Sequence, residues 1–178
     1  NTYMPGVYIR EARINLASGV LDNFDKTLNT ALTSGMSTFG ENSESYASTL
    51  IDVAEIYNEY GHYRLSREYL TKAKEVLSRA NQLTGYSKGR IALLEAEAMT
   101  GEGLCNEALE LLKSMDSYFA ARAVEKETFV EGASIKTQRV PDAEIPKRYS
   151  DYGKFLTLTA NAYSKKGSLL SADSAFKA

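Results

Sequence analysis

Apolar residues along this chain recur at intervals of three and four positions and do not alternate. Leu50, Val53, Ala54 and Tyr57 form one stripe, and Leu65, Tyr69, Ala73, Val76 and Leu77 form another. Such spacing gathers apolar side chains on one face of an α-helix, and that face needs a partner to cover it. Short clusters separate the stripes: Ala17-Ser18-Gly19, Tyr60-Gly61-His62, Thr84-Gly85-Tyr86 and Lys166-Gly167-Ser168. A Gly just past a helix can take the left-handed conformation that closes it, so each cluster predicts a helix-to-helix turn. Asn42, Ser43 and Ser45 precede one stripe, and Asp151 lies near the opening of another, where capping residues belong. Pro5, Pro141 and Pro146 are the only prolines, so nothing between Val7 and Phe129 removes a helical donor. The expected class is all-α.

The stripes repeat. Gly19, Gly61 and Gly103 each follow one stripe and precede another, at a constant offset of 42 residues. Leu28, Leu70 and Leu112 keep the same offset, as do Ala31, Ala73 and Met115, and Ala12, Ala54 and Ala96. A fourth copy follows at Gly167, with Ala160, Tyr163 and Ala172 in the corresponding places and about 22 extra residues inserted around Gly132 to Arg148. Small residues such as Ala54 and Ala73 fit where the two helices of one hairpin approach closely. Tyr57, Tyr63 and Leu70 fit the wedge between that hairpin and its neighbour. A lone hairpin cannot bury both of its faces, so copies are expected to stack into a curved row.

The order Leu50, Val53, Ala54, Tyr57, Gly61, Tyr63, Leu70, Ala73 resembles the tetratricopeptide repeat (TPR) family. The last copy matches through Leu156, Ala160, Tyr163, Gly167, Ala172 and Phe176, and the third through Ala96, Met99, Gly103, Ala108 and Leu112. Departures are Ser66 and Phe24 at small-residue positions and Glu95 at an apolar one. The period exceeds the family's usual length, so the likeness is closest to the kinesin-light-chain-like subgroup with elongated helices. The resemblance implies a right-handed α-α superhelix, a TPR-like solenoid of about four hairpins with the last incomplete. It is expected to form a single domain over 1–178, with repeats at 3–41, 42–85, 86–130 and 149–178 and an insert at 131–148. The chain starts at Asn1 and stops inside an apparent helix, which reads as a fragment of a longer protein. Leu169, Leu170 and Phe176 would then seek cover, from a symmetry mate or a dimer partner, through an exposed terminal repeat.

Composition narrows the chemistry. The 178 residues are 43% hydrophobic and 25% charged, ordinary for a globular chain and unlike a disordered tail. Lys plus Arg total 21 against 23 Asp plus Glu, so the net charge of -2 advertises neither nucleic acid nor an anionic membrane. No N-terminal stretch reads as a signal peptide, and no apolar run approaches the roughly 20 residues that span a bilayer. One cysteine, Cys105, and one histidine, His62, cannot supply a zinc site, and the lone thiol favours a reducing, cytoplasmic compartment. His62 sits in a predicted turn with no nucleophile or carboxylate arranged beside it, so a solvated turn residue explains it better than a catalytic base. Cys105 opens an outer helix, where a lowered thiol pKa is conceivable, but a small residue partly buried between helices accounts for it more simply. Gly101-Glu102-Gly103 lacks the third Gly and the preceding strand of a dinucleotide loop, and an interhelical turn explains it. No catalytic, cofactor or metal site is expected. The insert carries Lys136, Arg139, Lys147 and Arg148 against Glu131, Asp142 and Glu144. It reads equally as a partner-binding loop or as a connector after a long outer helix from Leu104 to Val130; a break around Ser114 to Ser117 would instead make Tyr118 to Val130 a separate helix.

The polar positions of the inner helices then define the candidate surface. They are Arg10 and Arg13 from the first inner helix, Asp52, Glu55, Asn58 and Glu59 from the second, Arg90, Leu94 and Glu97 from the third, and Lys154, Asn161 and Lys165 from the fourth. Basic ends around an acidic middle would complement a peptide with a basic centre. An ordinary solvated helix face accounts for the same pattern. The family's chaperone-binding members hold a peptide carboxylate with Lys, Asn, Asn, Lys and Arg. The matching positions here are Ile9, Arg13, Asp52, Arg90 and Leu94, of which only Arg90 keeps the charge type, and Asp52 would repel a carboxylate. The expected function is a non-enzymatic scaffold that binds a protein or peptide segment along the concave groove. The alternative is a regulatory or sensory input module of a larger signalling or transcription-regulating protein.

Overall fold

The computed structural model describes residues 4–124, 127–131, 134–138, 145–168, 171, 172 and 175; for 85, 120–124, 127–131, 134–138 and 145–150 it describes the backbone alone. Helices α1 (Met4–Ala17), α2 (Phe24–Phe39), α3 (Glu44–Glu59), α4 (Tyr63–Arg79), α5 (Gly85–Gly101), α6 (Cys105–Val124) and α7 (Ile145–Lys165) fall on the repeat frame read from the sequence. Leu169, Leu170 and Phe176, expected to seek cover, lie outside the described residues. The chain divides into two compact units, Asn1–Glu102 and Gly103–Ala178.

The turns are built as the glycine spacing predicts. Gly19, Gly61, Gly103 and Gly167 all adopt positive φ, between 70° and 84°. At Gly61 the His62 amide donates to the Tyr57 carbonyl at 2.8 Å and the Gly61 amide to Asn58 at 3.0 Å, the paired bonds that close a helix around a left-handed residue. The same pair recurs at Gly19 and Gly167. One junction departs from expectation. Gly85 belongs to α5, and the left-handed position after α4 is filled by Asn81 at φ 54°, with Gln82 donating to Leu77 at 2.8 Å. Asn tolerates that conformation through its short polar side chain, which is why the sequence pattern there lacks its glycine. The capping side chains are Ser43, which accepts from the Tyr46 amide at 3.1 Å, and Thr84, which accepts from Ser87 at 3.4 Å.

Two apolar clusters run through the first unit. One joins Ile9, Ala12, Phe24, Leu28 and Ala31 to Val53, Ile56 and Tyr57; the other joins Leu50, Ala54, Leu70, Ala73 and Leu77 to Ile91 and Leu94. The aligned alanines Ala12, Ala54 and Ala96, with Ala160, are all fully buried, and so are Leu28 and Leu70. Between α4 and α5 the approach is close at Gly101, where an added Cβ would land in the Tyr63 ring. Tyr63 therefore fills the wedge between successive hairpins, and Gly101 is small for that reason.

The three departures from the repeat pattern have distinct outcomes. Phe24 is buried and packs edge-on against Tyr57, with ring centroids 6.2 Å apart. Ser66 is fully buried, and its hydroxyl has no hydrogen-bond partner, so Ala would serve as well there. Glu95 is buried in α5 but receives both hydrogen bonds of Lys74 from α4, at 2.6 and 2.7 Å. One repeat earlier the same two positions hold Leu32 and Val53, which meet in the first apolar cluster. An apolar contact at one interface is thus replaced by an ion pair at the next.

The insert brings two corrections. The outer helix expected from Leu104 to Val130 ends at Val124, with no break near Ser114, and β1 (Glu127–Glu131) pairs antiparallel with β2 (Ser134–Gln138), Glu131 opposite Ser134. Thr128, Phe129, Val130, Ile135 and Thr137 are residues that favour strands, and Gly132-Ala133 between them leaves the two-residue spacing of a tight hairpin. α7 begins at Ile145, before the expected start at 149, with Pro146 in its first turn, where a missing amide costs nothing.

Two stability measurements follow. Gly61→Ala, where a Cβ meets nothing within 4 Å, should cost about 1–2 kcal/mol through backbone strain alone, while Asn81→Gly should raise stability by a few tenths to ~1 kcal/mol. Chemical denaturation of both variants checks the sign. Lys74→Ala strands the Glu95 carboxylate and should cost about 1–3 kcal/mol, whereas the double change Lys74→Leu with Glu95→Val, copying the preceding interface, should recover most of the loss.

Candidate functional site

Inner helices α1, α3 and α5 lie side by side in the first unit, and their charged positions interlock. Arg13 on α1 donates to Glu55 Oε2 on α3 at 2.7 Å and lies 3.7 Å from Glu59 Oε1. Arg90 on α5 donates to Asp52 Oδ1 at 2.6 Å and to the same Glu55 oxygen at 3.2 Å. One carboxylate oxygen thus serves two arginines from the helices on either side. Burial works to lower the Arg90 pKa, but the hydrogen bond and charge of Asp52, followed by those of Glu55, outweigh it and hold the guanidinium above its ordinary value. Arg13 is the more exposed end of the ladder, at 42% of its side chain against 28% for Arg90.

Of the twelve candidate positions, the ladder unites Arg13, Asp52, Glu55, Glu59 and Arg90. Asn58 and Leu94 are corrections. Asn58 is buried, and its amide nitrogen donates to the Leu94 carbonyl at 2.9 Å and to Glu97 Oε2 at 3.4 Å, while Leu94 is 1% exposed within the second apolar cluster. Both sit at the seam between α3 and α5, because helical register alone does not reveal which polar position a neighbouring helix covers. Arg10 is exposed on α1, away from the ladder's ion pairs. Lys154, Asn161 and Lys165 lie on α7 in the second unit, half-buried, exposed and exposed in turn. The acidic middle is therefore neutralised in large part by the protein's own arginines.

Sequence reasoning missed a groove of about 620 Å³ in the second unit, between α6 and α7. Leu109, Phe155 and Tyr163 supply apolar wall, and Glu110, Lys113 and Lys166 supply charge. At the corresponding junction of the first unit, Arg67 meets Glu102 at 2.7 Å beside the Lys74–Glu95 pair. The equivalent positions here hold Leu109 and Lys166, and Asp116 and Thr159, so neither ion pair can form. That loss of pairing along the repeat offset is the signal that could have revealed the groove.

An aromatic group joins the first two hairpins. Tyr57 stacks on Tyr69 with centroids 5.5 Å apart and donates its hydroxyl to Asp25 Oδ1 at 3.1 Å. His62, in the turn before α4, is exposed and lies 4.4 Å from the Tyr60 ring centroid. Cys105 is buried at the start of α6. Among the described residues no three His, Cys, Asp or Glu side chains gather as a metal site, and no helix is long and apolar enough to cross a membrane.

No family model and no curated protein matches the chain. Among solved structures it is similar to the crystal structure of a putative kinesin light chain from Podosopora anserina with nearly identical TPR-like repeats. The likeness has a TM-score of 0.61 at 18% identity and covers 97% of this chain and 72% of that one. The fold is therefore a TPR-like helical repeat, as the 42-residue spacing leads one to expect.

Burial, then the charge of Asp25, pushes the Tyr57 phenol well above its ordinary value, and burial likewise raises Tyr69 and Tyr46. The folded state thus favours the neutral phenols. Their contribution is fully present below the ordinary tyrosine pKa of about 10 and is lost as pH rises beyond it. Denaturation followed across alkaline pH should show stability falling above that value. Tyr57→Phe should flatten the fall while costing about 1 kcal/mol at neutral pH for the lost Asp25 bond.

Proposed function

We propose that the protein is a non-enzymatic interaction scaffold whose α1–α3–α5 face takes an extended protein segment with a basic centre. The observation that carries this reading is Glu55, whose one oxygen is shared between Arg13 and Arg90. Asp52, Glu55 and Glu59 gather around those two arginines, so a cationic segment arriving at this face meets carboxylates already in place. Arg90 is fixed by two carboxylates, but Arg13 is held by a more exposed pair, and such pairs contribute only about 0–1 kcal/mol. An incoming lysine or arginine can take the place of Arg13 beside Glu55 and Glu59 at little cost. Docking is then an exchange of one cation for another, steered by charge and sensitive to salt. On α7, Lys154, Asn161 and Lys165 are a separate candidate patch for a partner segment.

Fluorescence anisotropy with labelled peptides that differ only in lysine, neutral or glutamate centres tests the exchange. Lysine-centred peptides should bind best and weaken as salt rises. Glu55→Gln with Glu59→Gln should weaken them about tenfold, while Arg13→Ala, by freeing the carboxylates, should tighten them several-fold. Equal binding of all three peptide classes, or weakening by Arg13→Ala, would overturn the proposal.

A further inference from the structure

The outer face of α1 departs from the faces of α3 and α5 that occupy the same place in the repeat. Val7 and Ile14 are 51% and 65% exposed. One and two repeats later, the same positions hold Thr49 and Ile56, then Ile91 and Ala98, and all four are 5% exposed or less. Thr49 shows how such a position is covered: its side chain lies against Gly35 of the preceding hairpin, close enough that an added Cβ there would meet Thr49 Oγ1 at 3.1 Å. The α1 face is thus of the kind that elsewhere in this chain receives a helix.

Charge decides which helix. Arg10 and Glu11 are exposed between Val7 and Ile14, and the four residues follow the i, i+3, i+4, i+7 spacing of a single helical face. That face points away from Ile9 and Ala12, the buried side of α1. Glu11 takes the repeat position of Glu95, which is satisfied by Lys74 of the helix packed against it. A helix that covers α1 must likewise bring a cation to Glu11 and an anion to Arg10. A second copy of α1 brings both. Arg10 and Glu11 flank the Val7–Ile14 line on opposite sides. Under a two-fold axis parallel to the helices, the two sides exchange, so Arg10 falls beside Glu11 of the other copy and Glu11 beside its Arg10. An antiparallel pairing would keep like sides together and set arginine beside arginine.

We propose that α1 forms a parallel, two-fold homotypic contact, Val7 on Val7 and Ile14 on Ile14 across the axis, closed on each flank by an Arg10–Glu11 pair. The inference is independent of the groove on α1, α3 and α5, which uses Arg13 and not Arg10. The helix is 14 residues long, and a contact of that length falls short of the roughly 1,600 Å² of a standard interface, so the dimer is weak, with dissociation at about tens of micromolar.

Sedimentation velocity on the 178-residue chain, from low micromolar to near-millimolar concentration, measures it. The native chain should pass from monomer to dimer. Ile14→Glu and Arg10→Glu should each raise the dissociation constant at least tenfold with unchanged helical circular dichroism and thermal midpoint. The double reversal Arg10→Glu with Glu11→Arg should restore the dimer, an outcome that no purely structural role of either residue produces. In a separate variant, Ile14→Cys should oxidise to a covalent dimer, since only the parallel register brings that position onto its own copy. A chain that stays monomeric throughout, or a dimer untouched by Ile14→Glu, would overturn the interface. Failure of the double reversal, or absence of the disulfide-linked dimer in the Ile14→Cys variant, would overturn the parallel register. A face covered instead by another partner would appear as the first of these results.

Discussion

The middle inner helix of the first unit, α3, has to be buried on two sides at once, and much of the structure around it follows from that demand. α3 turns Val53, Ile56 and Tyr57 toward the first hairpin, and Leu50 and Ala54 toward α4 and α5. With both sides committed to packing, only a narrow strip of its surface remains for solvent. Asp52, Glu55 and Glu59 occupy that strip. The candidate surface is therefore what the packing leaves over, and its width is set by alanines and not by any functional group. Ala54 and Ala73 let the two helices of the second hairpin approach; larger side chains there would spread them and widen the strip.

Much of this was legible in the chain. Period, turn glycines and aligned alanines are properties of single positions repeated at a fixed offset, and each repetition strengthens the inference. Features that depend on a particular neighbour were not legible. Asn58 looks like any polar groove residue until α5 covers it, and Leu94 shares the register of the groove while belonging to the core. Asn81 hides a helix end because it performs a glycine's role with a side chain attached. The strand pair escaped because its first strand lies in the stretch read as the end of the outer helix, and its second in the segment the helical period had set aside.

Charge on the inner face is organised by reciprocity. Arg13 and Glu55 stand one repeat apart at the same helical position, as do Glu55 and Glu97. Opposite signs at the first of these pairs hold α1 to α3, and where the second pair repeats the sign, Arg90 supplies the cation that links α5 to Glu55, so the residues that look like a binding surface also stabilise the stack. A partner that engages them competes with an internal bond, which couples recognition to the packing of α1 on α3. Salt acts on both in the same direction, loosening the ladder and weakening the attraction of a basic segment.

The Lys74–Glu95 pair carries a consequence for how such a chain could change over time. Tandem copies invite gain or loss of a whole unit by unequal recombination, and excising one 42-residue period would leave the backbone geometry intact. It would also bring α5 directly onto α2 and place the Glu95 carboxylate against Leu32, which has no cation to offer. The hairpins share a shape but not an address: each junction has its own lock, and the order of the copies is fixed by chemistry even where their outlines would allow any one to follow any other.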